Sequence, residues 1–441
     1  MNFPFAESIR SRSAQIGVVG LGYVGLPVAC MLARSGFRVT GVDINREKVA
    51  KIAAGQSPIG GEEPGLAELV AEVIPSGKLS VTTEIAQLAS AQVVIICVDT
   101  PIEPDTKLPL YRGLRGVLKA LGPALQAGAL VIVESTIAPG TMQTVVIPEL
   151  EQSSGKTAGE DFFVGHCPER VTPGLLLNNL TAMNRSVGGQ TPEIADAMLA
   201  LYSTYVTGQL DPTDILTAEI VKTAENAYRD VQIAFANELA MVCERLGADV
   251  YQVRQLLNKS PGRAMLMPGG GVGGHCIPKD PWLLIANVSA DYQAKLIPAA
   301  RAINDSMPQH VCQLTANALA QHDKPLRGAR VAILGYAFRE NTDDDRETPS
   351  QYLLEALEQQ GAVVQIHDPH VRRYTQPLME VIAGADAVII MVAHRAYQSL
   401  DLEALRAQMT TPVLVDARYV VNPQSAQQAG FTYFGVGRAN L

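Results

Sequence analysis

The chain has 441 residues, and at roughly 150 residues per domain that length fits about three domains. Apolar residues make up 47% and charged residues 18%, which excludes a disordered or fibrous chain. Lys and Arg total 35 against 44 Asp and Glu, a net charge of −9, so nothing favours nucleic acid or an anionic membrane, both of which need a basic face.

The predicted elements begin with a buried strand from Ile16 to Val19. Gly20-Leu21-Gly22-Tyr23-Val24-Gly25 follows, then a helical run from Pro27 to Ser35, then a strand from Arg38 to Val42 that ends in Asp43. This is GxGxxG after a strand and before a helix, with an acid 18 residues beyond its last glycine, the full context of a dinucleotide site. Gly20 allows the tight turn, Gly22 lets backbone N–H groups approach a pyrophosphate, and Gly25 lets helix pack on strand. Asp43 is expected to take ribose hydroxyls and to favour NAD over NADP. The competing reading is a Rossmann-like fold whose glycines serve packing alone.

Further strands are predicted at Leu79 to Thr83, Val93 to Val98, Leu130 to Thr136, Phe162 to Arg170 and Asn184 to Gly189. The alternation predicts a doubly wound parallel sheet. Thr217 to Leu246 has no Gly or Pro over 30 residues and keeps a helical apolar period, so it reads as a long helix linking two lobes and forming a dimer interface. Helical stretches continue to about Ala320, broken by the glycine-rich loop Pro268 to Pro281. After a polar linker, Gln321 to Gly328, a second α/β unit is predicted. Its strands are Arg330 to Phe338, Val363 to Pro369, Ala387 to Ala393 and Leu414 to Val421, with a helix from Pro349 to Gln360. Gly335-Tyr336-Ala337-Phe338 replaces GxGxxG there, so a ligand other than a dinucleotide is expected.

The longest apolar runs are strand-length, short of the ~20 residues a bilayer needs, and the N-terminal stretch lacks the apolar core of a signal peptide. Six cysteines stand singly at positions 30, 97, 167, 243, 276 and 312, as expected of a reducing cytosol and not of a disulfide framework or a Cys-based zinc site. Cys276 differs from the rest. It follows a glycine run and precedes Pro278, a favoured first helical residue, near a helix N-terminus that would favour thiolate. From position alone it is either a nucleophile or an inert buried thiol. Lys222 and Asn226 share a helix face, which Arg229 is expected to continue; that face either stabilises an alkoxide or is a solvated stripe. Thr136 and Glu169 stand at strand C-termini, where open α/β sheets bind ligands. His166 and His275 read as structural or as neighbours of the site.

GLGYVG, ESTIAPGT, CPER, AEIVKTAENAYRD, GVGGHCIPKDPW and GYAFRENTDDDRETPS occur in this order over nearly the whole chain. Together they resemble the UDP-glucose/GDP-mannose dehydrogenase family. The resemblance implies two Rossmann-like doubly wound domains joined by a central helical domain: an NAD domain (1–215), a dimerisation domain (216–320) and a UDP-sugar domain (321–441). It implies a cytoplasmic homodimer of polysaccharide biosynthesis, paired through the central helix. Such an enzyme oxidises C6 of a nucleotide sugar from alcohol to acid with two NAD⁺ and no metal. Cys276, in the family's GGxCxxKD pattern, is then the nucleophile that forms a thiohemiacetal and a thioester. Lys222 and Asn226 stabilise the oxyanion, and Thr136 and Asp280, with Glu169 nearby, position the hydrolytic water. Cofactor contacts are implied for Gly20, Gly22, Tyr23, Val24, Gly25, Asp43, Arg46, Lys48, Thr100 and Thr136. Substrate contacts are implied for Glu169, Arg170, Lys222, Asn226, Gly271, Gly273, Gly274, Phe338, Arg339 and Arg346.

Within the family, the motifs most resemble enzymes acting on UDP-N-acetylhexosamines, especially UDP-N-acetyl-D-mannosamine dehydrogenases. UDP-N-acetylglucosamine and UDP-glucose 6-dehydrogenases are close alternatives. Asp99 stands where the family commonly has Pro, and Arg339 where it commonly has Lys. More remote readings are a two-electron hydroxy-acid dehydrogenase and a non-catalytic nucleotide-sugar sensor.

Overall fold

Runs of Val, Ile and Leu that are apolar at every position can be buried on both faces, and they fill the centres of parallel sheets. The computed structural model describes residues 4–61 and 63–438; residues 1–3, 62 and 439–441, which include the outer limits of the expected domains, lie outside the described residues. Spatial contacts divide the chain into two units. One comprises residues up to 225 with 282–292, the other residues 226–281 with 293 onward.

The first unit carries β1 (Gln15–Val19), β2 (Arg38–Val42), β3 (Leu79–Thr82), β4 (Val93–Ile96), β5 (Ala129–Val133), β6 (Phe162–His166), β7 (Arg185–Gly189) and β8 (Leu210–Asp214). They form one sheet in the order β3-β2-β1-β4-β5-β6-β7-β8, whose first six positions follow the Rossmann order. Alternate residues feed opposite cores. Val18, Ile95 and Ile132 enter one cluster, and Val19, Val94 and Val131 enter the other, as the two-residue period of a strand requires.

The sheet departs from the expected all-parallel arrangement at one place. β6 and β7 are antiparallel through Gly165↔Gly189 and His166↔Gly188, and β8 is then parallel to β7. Asp214 pairs with Gly189, so the long helix, Ile215–Leu246, starts level with the end of β6. Gly188 permits this, since a Cβ there would sit 2.8 Å from the Ala218 Cβ. β8 was not expected, because Leu-Asp-Pro-Thr-Asp is polar and holds a proline, a composition that a sheet edge tolerates.

The second unit carries β9 (Arg330–Leu334), β10 (Val363–His367), β11 (Ala387–Ile390), β12 (Val413–Asp416) and β13 (Thr432–Gly435). They run parallel in the order β10-β9-β11-β12-β13, the other common doubly wound order. The helices Leu296–Ala320 and Pro349–Gln359 belong to this unit.

Several strands end earlier than their apolar runs. β4 stops at Ile96 and β5 at Val133 because Ser135 Oγ accepts from the Val98 N–H at 2.9 Å and donates to the Val98 carbonyl at 2.7 Å, taking backbone groups out of the ladder. The expected strand from Leu414 to Val421 stops at Asp416. That carboxylate accepts the N–H groups of Arg418, Val420 and Val421 and folds them into a turn in which Tyr419 has φ 56°.

The two sheets place an acid at equivalent strand ends. Asp43 follows β2, and Asp368 follows β10. Asp368 accepts from the N–H groups of Tyr336, Ala337, His370 and Val371 and from His394 Nε2 at 3.1 Å. Burial pushes its carboxyl up, but the His394 bond and the N–H groups outweigh it and hold the pKa well below the usual range.

Candidate active site

The three glycines after β1 meet different surroundings. Gly20 has φ 90°, and a Cβ on it would lie 2.3 Å from the Cys97 carbonyl oxygen. A Cβ on Gly25 would lie 1.8 Å from the Gly20 carbonyl oxygen. A Cβ on Gly22 would meet nothing within 4 Å, so protein packing does not require that glycine. The space is what a pyrophosphate needs beside the start of the helix Gly25–Arg34, where the helix dipole favours anions. The expected helix start at Pro27 therefore moves back to Gly25.

Asp43 is buried. Its Oδ2 accepts the Leu21 N–H at 2.9 Å and Lys48 Nζ at 3.0 Å, and its Oδ1 accepts the Asn45 N–H at 2.9 Å. The acid is thus fixed beside the glycine loop. Tyr23 and Val24 are half-buried and Arg46 is exposed. Thr100 Oγ1 donates to the Thr136 carbonyl at 2.6 Å, which ties the loops after β4 and β5 together. These residues fit an NAD: an open phosphate approach, a strand-end acid, and loops at the carboxyl ends of parallel strands.

At the end of β6, His166 is fully buried. Its Nδ1 donates to the Val133 carbonyl at 2.8 Å, and its Nε2 is left as a buried acceptor without a partner. Burial, reinforced by the charge of Lys222 and opposed by the Val133 bond, pushes its pKa down to about 4, so the ring is neutral at physiological pH. Lys222 is only 7% exposed, which excludes the solvated-stripe reading. Glu169 is buried and accepts the Val171 N–H. Arg170 is occupied by protein partners: its Nε donates to Glu225 at 2.8 and 3.1 Å, and Nη1 donates to the Asn184 carbonyl. Glu134, which the sequence did not mark, is buried beside Arg185 at 3.7 Å and accepts from the Tyr202 hydroxyl at 2.7 Å.

In the second unit, Asn226 Nδ2 donates to Asp280 Oδ2 at 2.5 Å, and Lys279 Nζ lies 3.0 Å from Asp280 Oδ1. Asp280 is fully buried. The helix proper begins at Asp280 rather than Pro278. The N–H groups of Lys279 and Asp280 both donate to the Cys276 carbonyl, at 3.1 and 2.8 Å, so Cys276 initiates that turn. Its side chain is half-buried, unlike fully covered Cys30 and Cys167. The buried face of the long helix continues from Asn226 to Asp230, which pairs with Arg301 at 2.5 Å; Arg229, expected on that face, is exposed.

The glycines before Cys276 have a reason the sequence did not reveal. A Cβ on Gly271 would lie 2.9 Å from Pro349, on Gly273 2.6 Å from the Glu347 carbonyl oxygen, and on Gly274 2.8 Å from the Phe338 ring. Close packing against the loop after β9 therefore requires glycine at these positions. Gly274 N–H donates to the Arg346 carbonyl at 3.0 Å. Arg346 forms a two-point pair with Asp344 at 2.9 and 2.6 Å, and Arg339 is half-buried. Cys276, Gly273, Gly274, Phe338 and Arg346 are therefore parts of one packed loop system. Among the described residues, no group of three or more His, Cys, Asp or Glu could hold a metal ion, and no helix is long and apolar enough to cross a membrane.

Comparison with known proteins matches three parts of the chain to the UDP-glucose/GDP-mannose dehydrogenase family. Its NAD binding domain matches residues 14–206, its central domain 216–306 and its UDP binding domain 332–423. A UDP-N-acetyl-D-mannosamine dehydrogenase of Pyrococcus horikoshii is 38% identical over 97% of this chain and 100% of its own length. An NDP-N-acetyl-D-galactosaminuronic acid dehydrogenase of Ralstonia nicotianae is 36% identical over 91% of this chain and 95% of its own. The solved structure of a UDP-D-ManNAc dehydrogenase from Pyrococcus horikoshii superposes with a TM-score of 0.91 at 38% identity, covering 97% of this chain and all of that one.

Proposed function

The chain belongs to the UDP-glucose/GDP-mannose dehydrogenase family of NAD-dependent nucleotide-sugar dehydrogenases, and from that premise we propose that it oxidises C6 of a UDP-N-acetylhexosamine to the uronic acid through a thioester on Cys276. The names of its relatives support UDP-N-acetyl-D-mannosamine as the substrate, with the N-acetyl-D-galactosamine isomer as a second reading that the Ralstonia relative favours. Three functional regions follow: 1–215 for NAD, 216–320 for dimerisation and 321–441 for the UDP-sugar.

Bound NAD⁺ supplies the hydride acceptor, two per sugar. Lys222 and Asn226 stabilise the oxyanion at C6 in the first oxidation. The Cys276 thiolate then attacks the aldehyde carbonyl to form a thiohemiacetal, whose oxidation leaves a thioester. Water attacks the thioester carbonyl, the C–S bond breaks, and the thiol is restored. The sum is alcohol, two NAD⁺ and water giving carboxylate, two NADH and three protons. Thr136 and Asp280 position the water, with Glu169 nearby. Because the intermediate stays covalently bound, no free aldehyde leaves between the two oxidations. Arg339 and Arg346, with Phe338, serve the nucleotide.

The observation that carries this reading is the environment of Asp280. A fully buried carboxylate is held by Asn226 of the long helix, and its own N–H fixes the Cys276 carbonyl. The decisive experiment counts NADH per sugar across a panel of UDP-sugars. Two per UDP-N-acetylhexosamine supports the proposal. One indicates a simple alcohol dehydrogenase, and none a binding protein. Tyr228, Phe235, Val242 and Leu246 on the long helix are exposed apolar residues; they support a homodimer paired through that helix. The cytoplasm, where NAD⁺ is available, suits the free cysteines.

A further inference from the structure

Glu219 lies one turn before Lys222 on the long helix and is 1% exposed. Its Oε2 accepts the Gly140 N–H at 2.6 Å, and its Oε1 accepts the Met142 N–H at 2.8 Å. Those amides close the loop that leaves β5 and carries Thr136. The rest of the loop is bound elsewhere. Ser135 is tied to Val98, and the Thr136 carbonyl to Thr100. The Tyr111 hydroxyl accepts the Ala138 N–H and bonds Thr141 Oγ1, both at 2.9 Å. Asn287 Nδ2 donates to the Pro139 carbonyl at 2.8 Å. The loop runs into a π-helical turn, Met142–Val146, a distortion frequent at functional sites. Glu219 ties the far end of this loop to the helix that carries Lys222.

We propose that Glu219 is a positioning residue for the oxidation, holding the Thr136 loop and Lys222 in one frame through its two bonds to the Gly140 and Met142 amides. The proposal rests on the roles given above to Lys222 and Thr136. Both amides are satisfied by the ionised carboxylate; protonation turns one acceptor oxygen into a donor facing N–H groups. Burial, with a smaller push from Asp214 at the end of β8, raises the Glu219 carboxyl to about 7 against the Met142 and Gly140 amides. The other titratable groups around it are the Tyr111 phenol and Lys222 on the next turn. Loss of the charge below about pH 7 therefore loosens the frame.

The test compares Glu219→Gln and Lys222→Ala with the parent enzyme, each checked for folding by circular dichroism and for NAD⁺ binding. Glu219→Gln is expected to fold and to bind NAD⁺ within about 2-fold of the parent, with the KM for the UDP-sugar similarly unchanged. Its kcat should fall roughly 10- to 100-fold, the scale on which small misplacements act. The acid limb near pH 7 in the parent's kcat profile should disappear. A folded Glu219→Gln protein with unchanged kcat, or with that limb intact, overturns the proposal. If Lys222→Ala impairs turnover while Glu219→Gln does not, the positioning role fails and the parent reading stands. If Lys222→Ala turns over normally, both fail. Should Glu219→Gln not fold, Glu219→Asp keeps the charge but shortens the reach: lower kcat with intact NAD⁺ binding supports the proposal, and unchanged kcat overturns it.

Discussion

Cys276 and His166 show how much a single position can say. Cys276 was separable from the other cysteines in the sequence because only it follows a glycine run before a Lys-Asp pair. Replacing it with Ser is expected to cut acid formation by at least about 10³-fold, since a hydroxyl is a far weaker nucleophile at neutral pH. The fold should be kept. Mass spectrometry of the variant with UDP-sugar and NAD⁺ tests for an ester adduct, and acid production at the parent rate would sink the covalent route. His166 was not resolvable from sequence, because nothing in Gly-His-Cys-Pro reveals which ring nitrogen is bound. Its pKa in the fold, about 4, lies below that of an unfolded His, so the unfolded chain binds more protons between about pH 6.5 and 4. Stability is therefore expected to fall across that window by up to about 3 kcal/mol. In His166→Asn, whose amide can keep the bond to Val133, the melting temperature should vary less with pH there. An unchanged slope would refute the assignment of a neutral ring.

At the level of elements, the glycine loop after β1 offers a clean separation of packing from binding. Gly22→Ala adds a methyl that meets no protein atom within 4 Å, so its melting temperature should stay within about a degree of the parent's. NAD⁺ affinity should nonetheless drop roughly tenfold or more, because close backbone approach is lost. Gly25→Ala drives a Cβ to 1.8 Å from the Gly20 carbonyl oxygen and should lose stability first. Calorimetry of unfolding and of NAD⁺ binding on both variants decides; equal stability losses would mean Gly22 is a packing residue after all. The first strand, this loop and Asp43 were legible because their spacing is a local code. The loop from Gly271 to Gly274 was legible as glycine-rich but not in its cause. Phe338, Glu347 and Pro349 fill that space from a stretch more than sixty residues away in the sequence, a distance no local pattern spans. Glu219 was hidden in the same way: its partners are amides at 140 and 142, and backbone groups leave no mark in a sequence.

For the whole molecule, the family and the α/β class were readable because six motifs fall in one order across the chain. The reversal at β7 was not, since Arg-Ser-Val-Gly-Gly reads the same in either direction. The long helix bears on assembly. Tyr228, Phe235 and Val242 recur every seven residues, so they share a helix face, and all three are exposed, Tyr228 by 67%. In the proposed dimer, Phe235→Asp would place a charge on the apolar face, and it is expected to leave a monomer in sedimentation velocity. A dimer of unchanged stability would move the interface elsewhere.

The two strand-end acids set how far each lobe can evolve. Asp43 is held by two turn amides and one lysine, so exchanging a few side chains around it can alter cofactor choice while the turn survives. Asp368 already closes four amides and an imidazole. A descendant of this chain cannot recruit it for a ribose without first dismantling the turn that it holds. New ligand preferences in the second lobe are therefore expected to arise away from Asp368, whose acceptor oxygens are already taken.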